Sequence, residues 1–255
     1  MKIRVLGCSG AELPGRNAPS FLLDQDIVFD AGSLTNVLDL SSQMKITRIF
    51  ITHAHLDHVK GILFLADNLA VSNFNHQVNV FSISPVLATL KKYLLNNSLW
   101  PDFTSIPHPA DAILNLVKLK EGIPLVVNGY TITPYCVRHT VPAVGYLVES
   151  RSRKRFFYTG DMGPSGETWR KLGDKKIDCL IIDVSFPNRM SELAKKTGHL
   201  SPILLKAELL AMHHVPERIF ATHPKPQHLE TIHQELAELG IKQLTLLNDG
   251  DIITV

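Results

Sequence analysis

Three cysteines in 255 residues, Cys8, Cys136 and Cys179, are too few for a disulfide framework, and no CxxC spacing joins them into a thiolate zinc knuckle. They read as small buried hydrophobic residues. Long apolar runs are missing too. No stretch reaches the length needed to cross a bilayer, and the opening MKIRVLGCSG meets Gly, Cys and Ser after four residues, too short for the apolar part of a secretory signal. The expectation is a soluble cytoplasmic protein with no membrane partner. Charge of one sign is also lacking, since 26 Lys and Arg stand against 24 Asp and Glu. A nucleic-acid stripe is therefore not expected. Neither a nucleophilic serine motif nor a Walker loop occurs.

What is present is apolar mass and histidine. With 45% apolar residues the chain can bury a substantial core as one domain spanning 1–255. Short strands are expected at Ile3 to Leu6, Ser20 to Leu23 and Ile27 to Phe29, with a hairpin turn at Asp24 to Asp26. A helix from Leu34 to Leu40 capped by Ser33, a strand at Arg48 to Thr52 and an amphipathic helix at Val59 to Ala70 follow. Next come a strand near Val78 to Ile83, a helix from Ser84-Pro85 to about Leu95, and a loop over Asn96 to Pro109. The second half carries strands at Leu125 to Val127, Tyr130 to Val137, Ala143 to Glu149, Arg155 to Thr159, Ile177 to Val184 and Arg218 to Thr222, and a last one at Ile252 to Val255. Its helices are placed at Ser165 to Leu172, Ser201 to His213 and Pro226 to Leu239. Strands in groups with helices after them predict two sheets, each covered by helices on its outer face.

Twelve histidines occur, several directly after β-branched runs. His53 and His55 alternate, so on an extended chain both rings point to one side and can grip one metal ion. Asp57 and His58 fall where the chain turns into a helix and can face a second point nearby. Four candidate ligands in six residues cannot close two metal shells alone. His139, Asp161 and His223 each follow a strand and are the candidates to complete them.

This pattern resembles the metallo-β-lactamase superfamily, with HAHLDH at 53 to 58 its most specific motif. The resemblance implies an α/β four-layer αββα sandwich with two metals at the edge between its sheets. It gives His53, His55 and His139 to the first ion, Asp57, His58 and His223 to the second, and Asp161 to both. Five His and two Asp suit two divalent ions, zinc first, with manganese or iron compatible by ligand type. True β-lactamases of the superfamily usually have cysteine where Asp161 falls, so antibiotic hydrolysis is not expected.

Within the superfamily the chain is similar to class II 3′,5′-cyclic-nucleotide phosphodiesterases, through HAHLDHVKGIL at 53 to 63, Asn96-Asn97-Ser98-Leu99-Trp100-Pro101-Asp102-Phe103, Ser185-Phe186-Pro187-Asn188 and Gly198-His199-Leu200-Ser201. After Leu63 the match departs, continuing Phe-Leu-Ala. The resemblance implies hydrolysis of cyclic AMP or cyclic GMP to the 5′-monophosphate by a metal-bridging hydroxide. His199 and Asp57 are both candidates to protonate the leaving 3′-oxygen. Trp100 or Phe103 is a candidate to stack on a purine, although such aromatics also pack loops. Asn97 and Asn17 are candidate base or ribose contacts, although Asn in such loops is often turn chemistry.

The rival readings are the transfer-RNA 3′-processing endonuclease of the same superfamily, a thioester or lactone hydrolase, and a metal-dependent binding protein without turnover. The only dense basic run, Arg151 to Arg155, reads as a solvated hairpin turn rather than an RNA exosite. A small-molecule nucleotide is the expected partner, and a homodimer is compatible with the aromatic loop.

Overall fold

The structure is a computed structural model that describes residues 1–72 and 75–255. The first half contains β1 (Lys2–Gly7), β2 (Ser20–Leu23), β3 (Ile27–Phe29), α1 (Leu34–Val37), α2 (Leu40–Gln43), β4 (Arg48–Phe50), α3 (Leu56–Ser72), β5 (Val78–Ile83), α4 (Ser84–Tyr93) and β6 (Leu114–Leu119). The second half opens with β7 (Leu125–Val127), β8 (Tyr130–Cys136), β9 (Val144–Glu149), β10 (Arg155–Tyr158), α5 (Gly166–Leu172) and β11 (Cys179–Asp183). It closes with α6 (Ser191–Thr197), α7 (Pro202–Ala211), β12 (Arg218–Thr222), α8 (Leu229–Glu238), β13 (Leu244–Leu246) and β14 (Ile252–Thr254).

Two seven-stranded sheets result, ordered β14-β1-β2-β3-β4-β5-β6 and β13-β12-β11-β10-β9-β8-β7. Period-2 alternation explains why their strands read as continuous apolar runs. Phe29, Phe50 and Phe81 point to the space between the sheets, while their neighbours Val28, Ile49 and Val80 point outward under α1, α3 and α4. In the second sheet Phe156, Tyr158 and Ile181 face inward and Phe157, Leu180 and Ile182 face the layer of α5, α7 and α8. The Phe50 and Phe81 rings stack at 4.6 Å, with Tyr146 edge-on to Phe50 from the opposite sheet. Each such fully buried side chain contributes roughly 1.5–3 kcal/mol. The αββα layering follows from these three apolar cores.

Some expectations are corrected. The Leu34 to Leu40 helix is two short ones, α1 and α2. The Ser33 hydroxyl makes no capping bond, whereas Asp39 caps α2 through Ser42 N. Strands β6 and β13 and helix α6 lie in segments for which no element was expected. The helix expected from Pro226 begins as a 3-10 turn over Pro226–His228 and becomes α-helical at Leu229. Among the described residues, no helix is long and apolar enough to cross a membrane.

Candidate metal centre and active site

The strands deliver their ligand types to one end of the sandwich. β4 leads into His53, β8 into His139, β10 into Asp161 and β12 into His223. Helix α3 begins at Leu56, so Asp57 and His58 occupy its first turn, where the positive end of the helix dipole favours a carboxylate. His223 adopts φ 68°, a left-handed conformation uncommon for histidine and frequent at functional sites. Gly10 lies against it. A Cβ there would fall 2.5 Å from the His223 carbonyl oxygen, so only glycine fits.

The seven residues converge as two groups sharing one carboxylate. In the first, His55 Nδ1 lies 3.0 Å from His53 Nε2 and 3.2 Å from His139 Nε2, and Asp161 Oδ2 lies 3.6 and 4.0 Å from those two Nε2 atoms. In the second, His58 Nε2 and His223 Nε2 are 3.4 Å apart, lie 3.3 and 3.2 Å from Asp161 Oδ1, and lie 3.8 and 3.4 Å from Asp57 Oδ2. The nitrogen spacings approach the edge of about 3.3 Å that ~2.0–2.1 Å bonds give a tetrahedral ion.

The rings are held by their far nitrogens. Nδ1 of His53 meets Thr52 Oγ1 at 3.0 Å, Nδ1 of His58 meets Asp30 Oδ2 at 2.8 Å, Nδ1 of His139 meets Gly198 O at 2.8 Å, and Nδ1 of His223 meets Ser185 Oγ at 2.8 Å. With those nitrogens engaged, the facing ones present lone pairs to one another. Such an arrangement is repulsive without a cation or proton between them. Asp161 Oδ1 is buried and has no hydrogen-bond donor. An orphaned carboxylate oxygen among converging imidazoles fits a pair of metal ions, and the donor set is compatible with a dinuclear site.

Electrostatics separate the two groups. Burial, reinforced by His58, pushes His53 well below its ordinary pKa, and burial also lowers His55 and His139. Burial opposes protonation of His58 as well, but Asp161 and Asp30 outweigh it and hold that ring well above the usual value. Burial would raise Asp161, yet His223, His58 and His53 keep its carboxyl well below the ordinary range. Cysteine contributes nothing to the site. The Cys179 thiol is pushed up to about 12 by burial, and Cys8 donates to Leu247 O.

The sequence profile described as Beta-lactamase superfamily domain matches residues 26–223. The chain belongs to the β-lactamase superfamily. Within the superfamily it is similar to a probable 3′,5′-cyclic-nucleotide phosphodiesterase of Yersinia pestis, 28% identical over 182 residues that cover 66% of this chain and 51% of that protein. A ribonuclease Z of Methanococcus maripaludis is 32% identical over 227 residues, covering 82% of this chain and 71% of that protein. The aligned region thus spans about half the length of the Yersinia relative. Among solved structures, unliganded yeast PDE1 has a TM-score of 0.83 at 18% identity, covering 100% of this chain and 99% of that one. The human short-form tRNase Z has a TM-score of 0.70 at 18% identity, covering 100% and 99%. Both share the metallo-β-lactamase fold, and the superfamily is one of metal-dependent hydrolases.

Two carboxylates escaped the sequence reading. Asp30, with φ 54° and no exposed surface, accepts from Thr52 N, Thr52 Oγ1, His58 Nδ1 and Tyr158 OH. Asp183, at the end of β11, takes His199 Nδ1 at 2.6 Å on one oxygen and Ser185 Oγ at 3.0 Å on the other. Its oxygens are committed to protons, so Asp183 orients His199 rather than ligating a metal. Burial lowers the His199 pKa, but Asp183 more than offsets it and the ring stays above its ordinary value. The only available signal was an Asp at the end of an apolar strand in each case. The Gly198-His199 segment enters the site because Gly198, at φ 71°, packs so close that a Cβ would sit 2.9 Å from His139 Cα.

The expected nucleotide contacts are placed differently. Phe103 is buried in the outer core over the first sheet, which leaves its ring no face for a base. Asn97 has φ 61°, and its Oδ1 accepts from Asp102 N, which is turn chemistry. Trp100 is half-buried, edge-on to Phe64, with Nε1 donating to Leu63 O at 3.1 Å. Asn17 is half-buried at the end of the loop that contains Gly10, and its N–H donates to Asp249 Oδ2 at 2.8 Å.

Proposed function

We propose that the protein hydrolyses a phosphodiester, with a 3′,5′-cyclic nucleotide as substrate and the 5′-monophosphate as product. The observation that carries this reading is the Asp183–His199 pair, 2.6 Å apart and within 4.0 Å of the shared carboxylate Asp161. Cleaving a ribose 3′-oxygen from phosphorus expels an alkoxide, a poor leaving group that needs a proton. A thioester expels a thiolate that needs none, so a poised donor argues for the diester. With Nδ1 bound to Asp183, Nε2 of His199 is the position that gives the proton, and the neighbouring carboxylate favours the protonated ring.

His53, His55, His139 and Asp161 would hold one divalent ion and Asp57, His58, His223 and Asp161 a second, with zinc the first choice. Two such ions supply a water of lowered pKa and neutralise charge on the phosphate oxygens. Asp161 fixes the spacing of the two groups, while Asp57, bonded toward His223, serves the second group rather than the leaving oxygen. Trp100 and Asn17 remain the candidates to meet the base and ribose.

The ribonuclease Z relatives favour a second reading, endonucleolytic cleavage of transfer-RNA precursors, on the same donor geometry. Charge placement supports the cyclic nucleotide instead. β10 runs from Arg155 toward Asp161, so the basic turn at 151–155 sits at the end of the strand away from the metal-binding cluster. Two of its cations are already paired, Lys154 with Asp178 and Arg155 with Glu149.

The leaving group tests the proposal. His199→Ala is expected to slow hydrolysis of cyclic AMP by roughly 10²–10⁴-fold while sparing bis(p-nitrophenyl) phosphate, whose phenolate leaves unprotonated. Equal losses on both substrates would remove His199 from the donor role.

A further inference from the structure

We propose that Lys225 is the anchor for the substrate's phosphate, an inference that rests on the phosphodiester reading above. Lys225 follows His223 by two residues and is half-buried, yet among the described residues it forms no ion pair with a carboxylate. Its ammonium donates to one neutral acceptor, the carbonyl of Gly10. Lysine is rarely withdrawn from water unless paired, and an ammonium has three donors to place. A single carbonyl leaves most of that capacity unspent beside the site.

The backbone holds the residue there. Lys225 N donates to Ser185 O at 3.0 Å, and the Ser185 hydroxyl contacts both His199 Nδ1 and His223 Nδ1. Gly10 N donates to Pro224 O at 3.0 Å, which ties the Gly10 loop to the 223–225 segment. Asp249 fastens both ends of that loop, accepting from Cys8 N and Asn17 N.

A phosphate oxygen outcompetes a carbonyl for an ammonium because the bond becomes charge-assisted. Lys225 would therefore release Gly10 O and take the diester oxygen as substrate enters, and would hold the monophosphate until it leaves. This assigns a cation to the phosphate without drawing on Lys60, which is already paired with Glu12.

The test uses the full-length, metal-loaded protein and its Lys225→Met and Lys225→Arg variants. Inorganic phosphate affinity is measured by equilibrium titration, with KM and kcat on cyclic AMP and metal content determined alongside. In Lys225→Met, phosphate binding is expected to weaken by roughly ten- to a hundredfold. KM should rise by a similar factor with kcat changed less and metal content unchanged, and Lys225→Arg should restore most of the loss. Unchanged phosphate affinity in Lys225→Met overturns the proposal. If the wild-type protein hydrolyses no cyclic nucleotide the phosphodiester reading fails, and the phosphate titration still decides the role of Lys225. Should Lys225→Met not fold, reductive methylation of the native protein settles the matter: phosphate is expected to protect Lys225, and equal labelling with and without it overturns the assignment.

Discussion

Asp30 Oδ2 lies 2.8 Å from His58 Nδ1, and neither side chain has any exposed surface. A carboxylate on the far nitrogen fixes the tautomer and aims Nε2 at the neighbouring His223, Asp57 and Asp161.

Asp30→Asn removes that charge while keeping the shape. It is expected to weaken metal affinity by about 10–100-fold with the fold intact. Competition against a chromogenic chelator, with circular dichroism as the control, measures it. Wild-type affinity would show that His58 is held by packing alone.

Acidification should empty the two groups unequally. His58 carries a proton in the metal-free protein because Asp161 and Asp30 hold its pKa above the ordinary value against burial, and a metal ion must displace that proton. His53, His55 and His139 are lowered by burial and already neutral near pH 7. The sign follows: as pH falls from 8 toward 6, binding to the Asp57–His58–His223 group weakens by up to about tenfold per pH unit for the proton displaced. The other group changes little over that window. Titrations of one metal equivalent and then two at several pH values check this, and parallel declines would contradict it.

Asp183 and His199 should act as one unit. Asp183→Asn and His199→Ala are each expected to reduce kcat on cyclic AMP. The double variant should fall little below His199→Ala, because once the ring is gone the carboxylate has nothing to orient. Metal content is expected to stay at the wild-type level in all three. Additive losses would separate the two residues.

Gly198→Ala places a Cβ at φ 71° against His139. The expected cost is about 1–3 kcal/mol of stability. Thermal and urea melts read it. A neutral result would mean that the Gly198 turn relaxes without displacing His139.

The metal-type cluster was legible because its densest part is local. HAHLDH packs four candidate ligands into the passage from β4 to α3, where an extended pair and a helical pair must face adjacent points. His139, Asp161 and His223 showed as polar residues ending apolar strands. Asp30 and Asp183 end strands in the same way, but their partners lie 28 and 16 positions away, and no local spacing reports such a contact. The αββα layering was legible from long apolar strands followed by helices. β6 was not, since Leu114-Asn115-Leu116-Val117-Lys118-Leu119 forms a sheet edge with mixed burial. β13 has only three residues, and its pairing with β12 is set by the tertiary fold rather than by its own pattern. Phe103 was misleading because an aromatic in a polar loop looks exposed until its packing partners are known.

The most direct test of the central claim is hydrolysis by the purified protein of 3′,5′-cyclic AMP and cyclic GMP beside a precursor transfer RNA, with chelator and with zinc or manganese restored. The account predicts release of the 5′-monophosphate that disappears with chelator, returns with metal and is abolished by Asp161→Ala. Cleavage of the RNA with no turnover of either cyclic nucleotide would contradict it and give the site to the endonuclease reaction.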